Sequence, residues 1–460
     1  MQTQHITIRN NEKLHRVLLA GVFAGALTLF MLWGFPAYAG SAPGYAMAPD
    51  NPEHQGALPR ERPPELAIID SYLDMAAENN PELRRLAHEY RSRREMIPQA
   101  GALPDPEIDI AYFINADDPE TFAGRFSVSA MQMFPWYGTR EARREEQGAM
   151  AEEQFYALQS RRSELFTEIQ ELWFDYTALV QTIGVVRVNR DIVSDLESIV
   201  MVRYETARAG TADLLRIQME DRRLMTRIEN LEDSENALKA RINERLNREP
   251  FSEVEIPGQL PVRRPAHSES ALVDLAREKN PKLRQFKAMD AAAQHRTRLA
   301  RLEGYPAIGV GLEIMGRDYA SMAMMPGMDE GYVGMLSISV PLYRGNYDAK
   351  VRQSLEDRGS VTRGKEQVSN AIARQMTEYL VDWRESDRNL RLLDNELIPR
   401  ARQAFKVLVE EYGAGNVSFE EVLQVQRELL DLDIERIGVL AAQNRAVARI
   451  EQLYAARPGF

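Results

Sequence analysis

Two rhythms of hydrophobic and polar positions divide this chain. Through Phe155, Leu158, Leu165, Ile169, Leu172, Tyr176, Leu179 and Ile183 the apolar residues mostly recur at steps of three and four, the signature of one face of a long, coiled-coil-like helix. No proline interrupts the stretch between Pro135 and Pro250. The pattern predicts a helix from Thr139 to near Arg203, some 65 residues or roughly 100 Å at 1.5 Å per residue. A break at Gly210 and a returning helix from Ala212 to Leu246 follow. The same order recurs later: a long helix from Asp348 to Glu411, a break over Gly413 to Ser418, and a return helix from Phe419 to Tyr454. Pro399 falls inside the second long helix and predicts a kink, where the first copy has Asp191.

Before each long helix the period changes to two. Ile308, Val310, Leu312 and Ile314 alternate with Ala307, Gly309, Gly311 and Glu313, and Leu336, Ile338 and Val340 alternate with Ser337 and Ser339. The earlier counterparts are Ile108, Ile110 and Tyr112 against Glu107, Asp109 and Ala111, then Phe126, Val128 and Ala130 against Ser127 and Ser129. Strict alternation marks strands with two unlike faces. Each copy therefore carries a hairpin, closed by Asn115 to Gly124 in the first and Gly316 to Gly331 in the second. A shorter helix, read from Glu65 to Gln99 in the first copy and ended by Pro98, Pro104 and Pro106, precedes the hairpin.

Matching landmarks fix the duplication. Asn80-Pro81-Glu82-Leu83 returns as Asn280-Pro281-Lys282-Leu283, and Tyr204 with Leu215-Arg216-Ile217-Gln218 as Tyr412 with Leu423-Gln424-Val425-Gln426. The period of about two hundred residues is far beyond that of a solenoid repeat. The expected segments are a signal peptide over 1–39, a flexible arm over 40–64, and a first repeat over 65–249. A Pro-rich linker over 250–268, a second repeat over 269–456 and a tail over 457–460 complete the chain. The two shorter helices of a repeat, each about 35 residues, sum to its long helix, so stacked end to end they match it in length.

Charge and composition narrow the function. The net charge of −12 disfavours a nucleic-acid partner, which needs clustered Lys and Arg, and suits either solubility or the passage of cations. Cysteine is absent, which excludes disulfides, thiolate sites and a cysteine nucleophile. Arg9, Lys13 and Arg16, the apolar run Val17 to Trp33, and Ala37-Tyr38-Ala39 read as an export signal cleaved after Ala39, with an uncleaved anchor as the alternative. No later stretch approaches the ~20 apolar residues of a membrane helix, so a membrane crossing would have to use strands. No metal-ligand spacing joins His5, His15, His54, His88, His267 and His295, and no P-loop or nucleophile elbow is present. Neither an enzyme nor a cofactor is expected.

Four strands cannot close a spanning barrel, for which about eight is the practical minimum, so oligomers are required. A soluble four-stranded sheet capping a helical stalk is the alternative. Tyr112, Phe113, Phe134, Trp136, Tyr332 and Tyr343 stand near strand ends, where an interfacial aromatic belt would lie. Over Glu65 to Ala456 the chain resembles the TolC-like outer-membrane efflux factors. The resemblance rests on the duplicated Asn-Pro-x-Leu helix starts, the run Ile97 to Pro106, the junction Gln132-Met133-Phe134-Pro135-Trp136-Tyr137-Gly138, and the two tip segments. It implies a homotrimer with a 12-stranded outer-membrane barrel and a helical tunnel in the periplasm. It further implies a periplasmic adaptor and an inner-membrane pump of RND or ABC type, with heavy-metal or drug export both open. The competing reading is a periplasmic coiled-coil adaptor or scaffold without a barrel; the four amphipathic strands argue against it.

The resemblance places a periplasmic gate just past the second break, at Glu420, Glu421 and Gln424. Three copies of Glu421 would favour cations at a constriction, whereas acids in a first turn also simply satisfy the helix dipole. Arg203, Tyr204, Ala209, Gly210, Tyr412, Ala414 and Gly415 are implied adaptor contacts or latches; helix termination and tip packing explain them equally. Met315, Met322, Met324, Met325 and Met328 crowd the second hairpin loop. Thioethers are soft ligands that favour Cu(I), although a loop with chance methionines is the simpler reading.

Overall fold

The computed structural model describes residues 66–113, 125–316 and 331–456. In chain order the elements are α1 (Ala67–Asn79), α2 (Pro81–Gly101), β1 (Glu107–Phe113), β2 (Arg125–Phe134), α3 (Thr139–Glu205) and α4 (Thr211–Leu246). The second half repeats them as α5 (Glu269–Lys279), α6 (Pro281–Leu302), β3 (Ala307–Gly316), β4 (Gly331–Ser339), α7 (Arg344–Leu392), α8 (Ile398–Ala414) and α9 (Phe419–Leu453). Among the described residues no helix is long and apolar enough to cross a membrane.

The predicted first helix is two helices, because Asn80 is extended at φ −63°, ψ 124°. Its Oδ1 accepts from the amides of Glu82 and Leu83 at 3.0 and 3.2 Å, capping α2, and Pro81 follows where a missing N–H costs nothing. Its Nδ2 donates to the Arg245 carbonyl at the end of α4 (2.9 Å). Asn280 does the same in the second copy, accepting from Lys282 (3.0 Å) and donating to Leu453 O at the end of α9 (2.8 Å). One asparagine per repeat thus joins the start of one short helix to the end of the other. Both short helices pack along the long one, α2 and α4 on α3, and α6 and α9 on α7. Pro98 does not end α2 but lies within it, three residues before its last, Gly101.

The 67-residue α3 buries Leu165, Ile169, Leu172, Tyr176 and Ile183 of the stripe that its apolar spacing predicts, while Phe155, Leu158 and Leu179 of the same stripe are half-buried. Trp173 and Phe174 are fully buried beside it. The indole of Trp173 donates to Glu255 O of the linker (2.9 Å), and Trp383 on α7 donates to Arg263 O (3.0 Å). The linker is therefore pinned to both long helices by equivalent tryptophans. In the second copy the long helix is not continuous. A π-helical turn over Leu393–Leu397 separates α7 from α8, immediately before Pro399. Proline lacks the N–H that the α ladder needs, and the ladder locally widens to accommodate it.

The strands form one antiparallel sheet in the order β1-β2-β3-β4. The central pairing, β2 with β3, joins the two hairpins, with Val128 opposite Ile314 and Phe134 opposite Ile308. One face carries Ile108, Ile110, Tyr112, Val310, Leu336 and Ile338, each at least 49% exposed. The other carries Ser127, Ser129, Met131, Met133, Gly309, Gly311, Met335 and Ser337. At the sheet's base Trp136 stacks on Tyr305, with centroids 5.0 Å apart. The loop methionines Met322, Met324, Met325 and Met328 lie outside the described residues.

Candidate functional site at the helix tips

The two helix breaks sit side by side, because α9 packs against α3 as well as against α8. Their shared core contains Val193, Leu196, Val200, Ile217, Tyr412, Phe419, Val422 and Leu423.

The breaks are made differently. In the first, α3 ends at Glu205 and the left-handed residue is Ala207 (φ +56°). The amides of Arg208 and Ala209 both return to Arg203 O, at 2.7 and 3.1 Å. Gly210, expected to break the helix, is extended (φ −88°) and serves as the N-cap of α4. In the second, Gly413 remains helical and Gly415 takes φ +88°. Gly415 N bonds to Tyr412 O and Asn416 N to Glu411 O, both at 3.0 Å. This is a Schellman closure, which favours glycine at its left-handed position.

Arg203 fastens one tip to the other. Its Nη1 donates to the carbonyls of Tyr412 and of Gly413, the latter at 3.0 Å, and its guanidinium carbon lies 4.5 Å from the centre of the Tyr412 ring. A cation therefore sits at the exposed carbonyls of a helix C-terminus, where the dipole favours it. Tyr412 is 4% exposed and packs on Phe419 at 5.4 Å. Burial pushes its hydroxyl pKa up, against the opposing effect of Arg203. Tyr204, its counterpart, is 40% exposed. The duplicated tyrosines thus serve different ends, Tyr412 in the tip core and Tyr204 on the surface. Ala209 is half-buried, while Gly210, Ala414 and Gly415 are exposed.

The acidic residues are engaged within the chain. Ser418 and Glu421 form a capping box at the start of α9: Ser418 Oγ accepts from Glu421 N (3.4 Å), and Glu421 Oε1 accepts from Ser418 N (3.3 Å) and Oγ (2.8 Å). Glu420 pairs with Arg216 of α4 at 3.2 Å, and Gln424 is exposed one turn further on. Below them Arg427 reaches the buried Glu220, Gln426 bonds to Asn189, and Arg227 faces Asp431 at 3.7 Å. These cross-links and the Arg203 clamp were not foreseen from the sequence. Their partners lie about two hundred positions apart, and only the packing of the tip hairpins brings them together. Among the described residues no group of His, Asp or Glu side chains is arranged to hold a metal ion.

The model of the family described as outer membrane efflux protein matches residues 272–456. No curated protein matches the chain in sequence. Among solved structures, the outer-membrane channel OprN is 15% identical with a TM-score of 0.73, covering 84% of this chain and 90% of its own. CusC, solved to examine folding and transmembrane channel formation, is 13% identical with a TM-score of 0.72 over 84% and 92%. The outer membrane protein VceC from Vibrio cholerae is 12% identical with a TM-score of 0.71 over 84% and 96%. Identities this low speak for the fold, and the family match speaks for the second repeat. The chain has the fold of these outer-membrane channels, and its residues 272–456 match the outer membrane efflux protein family.

Proposed function

We propose that this chain is the outer-membrane exit duct of a tripartite efflux or type I secretion system, conducting substrates passively from an inner-membrane pump of RND or ABC type. Three copies join their sheets into a 12-stranded barrel in the outer-membrane lipid, and their helices form a tunnel in the periplasm. The carrying observation is the sheet face of Ile108, Ile110, Tyr112, Val310, Leu336 and Ile338, exposed on a sheet whose outer strands, β1 and β4, have one neighbour each. Apolar residues on one face, with small or polar ones opposite, suit lipid outside and water inside. Edge-to-edge pairing of β4 with the next chain's β1 removes the open edges. A soluble scaffold has no use for such a face. Energy for transport comes from the partner pump.

The tips are the periplasmic gate in this reading. Arg203 and Tyr412 hold the closed arrangement. Tyr204, Ala209, Gly210, Ala414 and Gly415 form the surface that meets a periplasmic adaptor. Glu420, Glu421 and Gln424 ring the entrance, so replacing both glutamates by alanine should weaken cation preference. The experiment is conductance of the purified full-length protein in planar bilayers. Discrete cation-preferring channels are expected. A protein that never conducts, and that fractionates as a soluble periplasmic species, overturns the duct.

A further inference from the structure

The sheet face opposite the apolar one holds a feature that the duct reading leaves unused. Gly309 and Gly311 on β3 lie between Met131 and Met133 of β2 and the residues Met335 and Ser337 of β4. A Cβ built on Gly309 would stand 2.5 Å from Met133 Sδ and 3.0 Å from Met131 Sδ. Two sulfurs at those distances from a single point are at most about 5.5 Å apart. The Met335 methyl reaches to 3.2 Å from the corresponding point on Gly311, as does that of Met131. All three methionines are half-buried and Gly309 is buried. The same face carries the small Ser127, Ser129, Ala307 and Ser337 together with Glu107 opposite Met131, Asp109, Glu313, Met315 and Val333. Two thioethers lean together over the bare backbone of Gly309. A glycine within a strand weakens it and commonly marks a close approach from outside the sheet.

We propose that Met131 and Met133, with Met335 within reach across β3, form a thioether site for a soft monovalent metal ion, Cu(I) or Ag(I). Thioethers are soft donors that select such ions over hard ones. With metal–sulfur bonds of roughly 2.3 Å, one ion bridges two sulfurs up to about 4.6 Å apart, a closure well within the freedom of an unbranched side chain with three rotatable bonds. Residues at i and i+2 of a strand share a face, so the Met131-x-Met133 spacing aims both sulfurs to one side. Gly309 lets both sulfurs settle onto the strand, where a Cβ would press them away. The placement of this face towards the barrel interior rests on the duct reading, which would put three such sites around one channel. Metal binding to the pair does not require the barrel.

The test uses silver ion as the probe on the purified full-length protein. After desalting, metal analysis should find at least one tightly held silver per chain, and the ε-methyl resonances of Met131 and Met133 should shift together. The double variant Met131→Leu, Met133→Leu should lose that silver. Gly309→Ala, which fills the space between the sulfurs, should weaken binding tenfold or more. Replacing Met322, Met324, Met325 and Met328 by leucine should leave the strand-bound silver in place. Unchanged silver in the double variant, or its complete loss in the loop variant, overturns the site. The oligomeric state is measured on the same samples. A trimer whose silver is indifferent to Met131 and Met133 sinks this inference alone, whereas a soluble monomer that binds silver through them sinks the duct and keeps the site.

Discussion

Arg203 should govern how readily the second tip opens. Its Nη1 bonds two carbonyls of the last turn of α8, and its plane covers the Tyr412 ring. Hydrogen bonds from a charged donor contribute about 1.5–3 kcal/mol each, and a cation–π contact about 0.5–1 kcal/mol at a wet site. The bonds share one half-buried group, so they do not add in full. A loss of about 2–3 kcal/mol for Arg203→Ala is the reasonable sum, and at 1.4 kcal/mol per factor of ten this is roughly a 30- to 150-fold change in local opening. Hydrogen exchange in detergent reads it directly. The amides of Gly415 and Asn416, which close the helix through Tyr412 O and Glu411 O, should lose protection by that factor. Those near Leu165, in the separate core around Trp173, should not change. Arg203→Lys should fall between, because an ammonium cannot present the guanidinium's planar fork. If Gly415 and Asn416 exchange at the original rate in Arg203→Ala, the clamp carries no load and the latch assignment fails. A loss of protection spread evenly over the chain would refute it equally, since it would mean general destabilisation.

The remaining expectations concern the membrane face, the acid range and the repeat joints. Leu336→Lys, on the exposed apolar face of β4, should cost about 2–4 kcal/mol per chain if it lies near the bilayer midplane; reduced recovery from the outer-membrane fraction is the readout, and wild-type recovery would argue against lipid contact. Glu82 receives two bonds from Arg161 at 2.9 Å, which hold its carboxyl below the usual range. A depressed pKa means stability that is present above the unfolded value and lost as pH falls through the folded one. The carboxylate is 39% exposed, so solvent screening limits the effect to about 1 kcal/mol or less. The melting deficit of Glu82→Gln should therefore be seen at neutral pH and close as pH drops below the ordinary carboxylate range, about 4. Asn80→Ala and Asn280→Ala should each cost about 0.5–2 kcal/mol as cap losses, with somewhat more from the orphaned carbonyls of Arg245 and Leu453; denaturant melts of the two variants should be alike, and a large difference would show that the joints are not equivalent.

Much of the architecture was legible because it is periodic. The stripe from Leu165 to Ile183 and the alternation along β3 are written in apolar spacing, and spacing sets which face is buried. Local punctuation was less legible. Asn80-Pro81 marks a helix start in the sequence, yet the apolar pattern runs across it and merges two helices into one. Gly210 looked like the residue that turns the chain. The left-handed conformation instead falls on Ala207, held by local backbone bonds from Arg208 and Ala209 to Arg203 O, although glycine is intrinsically preferred there. Gly413 and Gly415 are equally good breakers on paper, and only the bonds returning to Tyr412 and Glu411 select the second. Pro399 was correctly expected to disturb its helix, although the disturbance takes the form of a π-helical turn at Leu393–Leu397. The clamp was the least accessible, since Arg203 and Tyr412 lie 209 residues apart and no local rule pairs them. Likewise, Met131 and Met133 acquire meaning only once β2 is placed beside Gly309 of β3, a pairing between the two repeats.

The most direct test of the account is the mass of the intact particle extracted from outer membranes in mild detergent. Native mass spectrometry should give three chains per particle, because the proposed duct closes its barrel with twelve strands, four from each chain. A stable monomer, or an even-numbered assembly in which β1 and β4 remain unpaired, would contradict the duct.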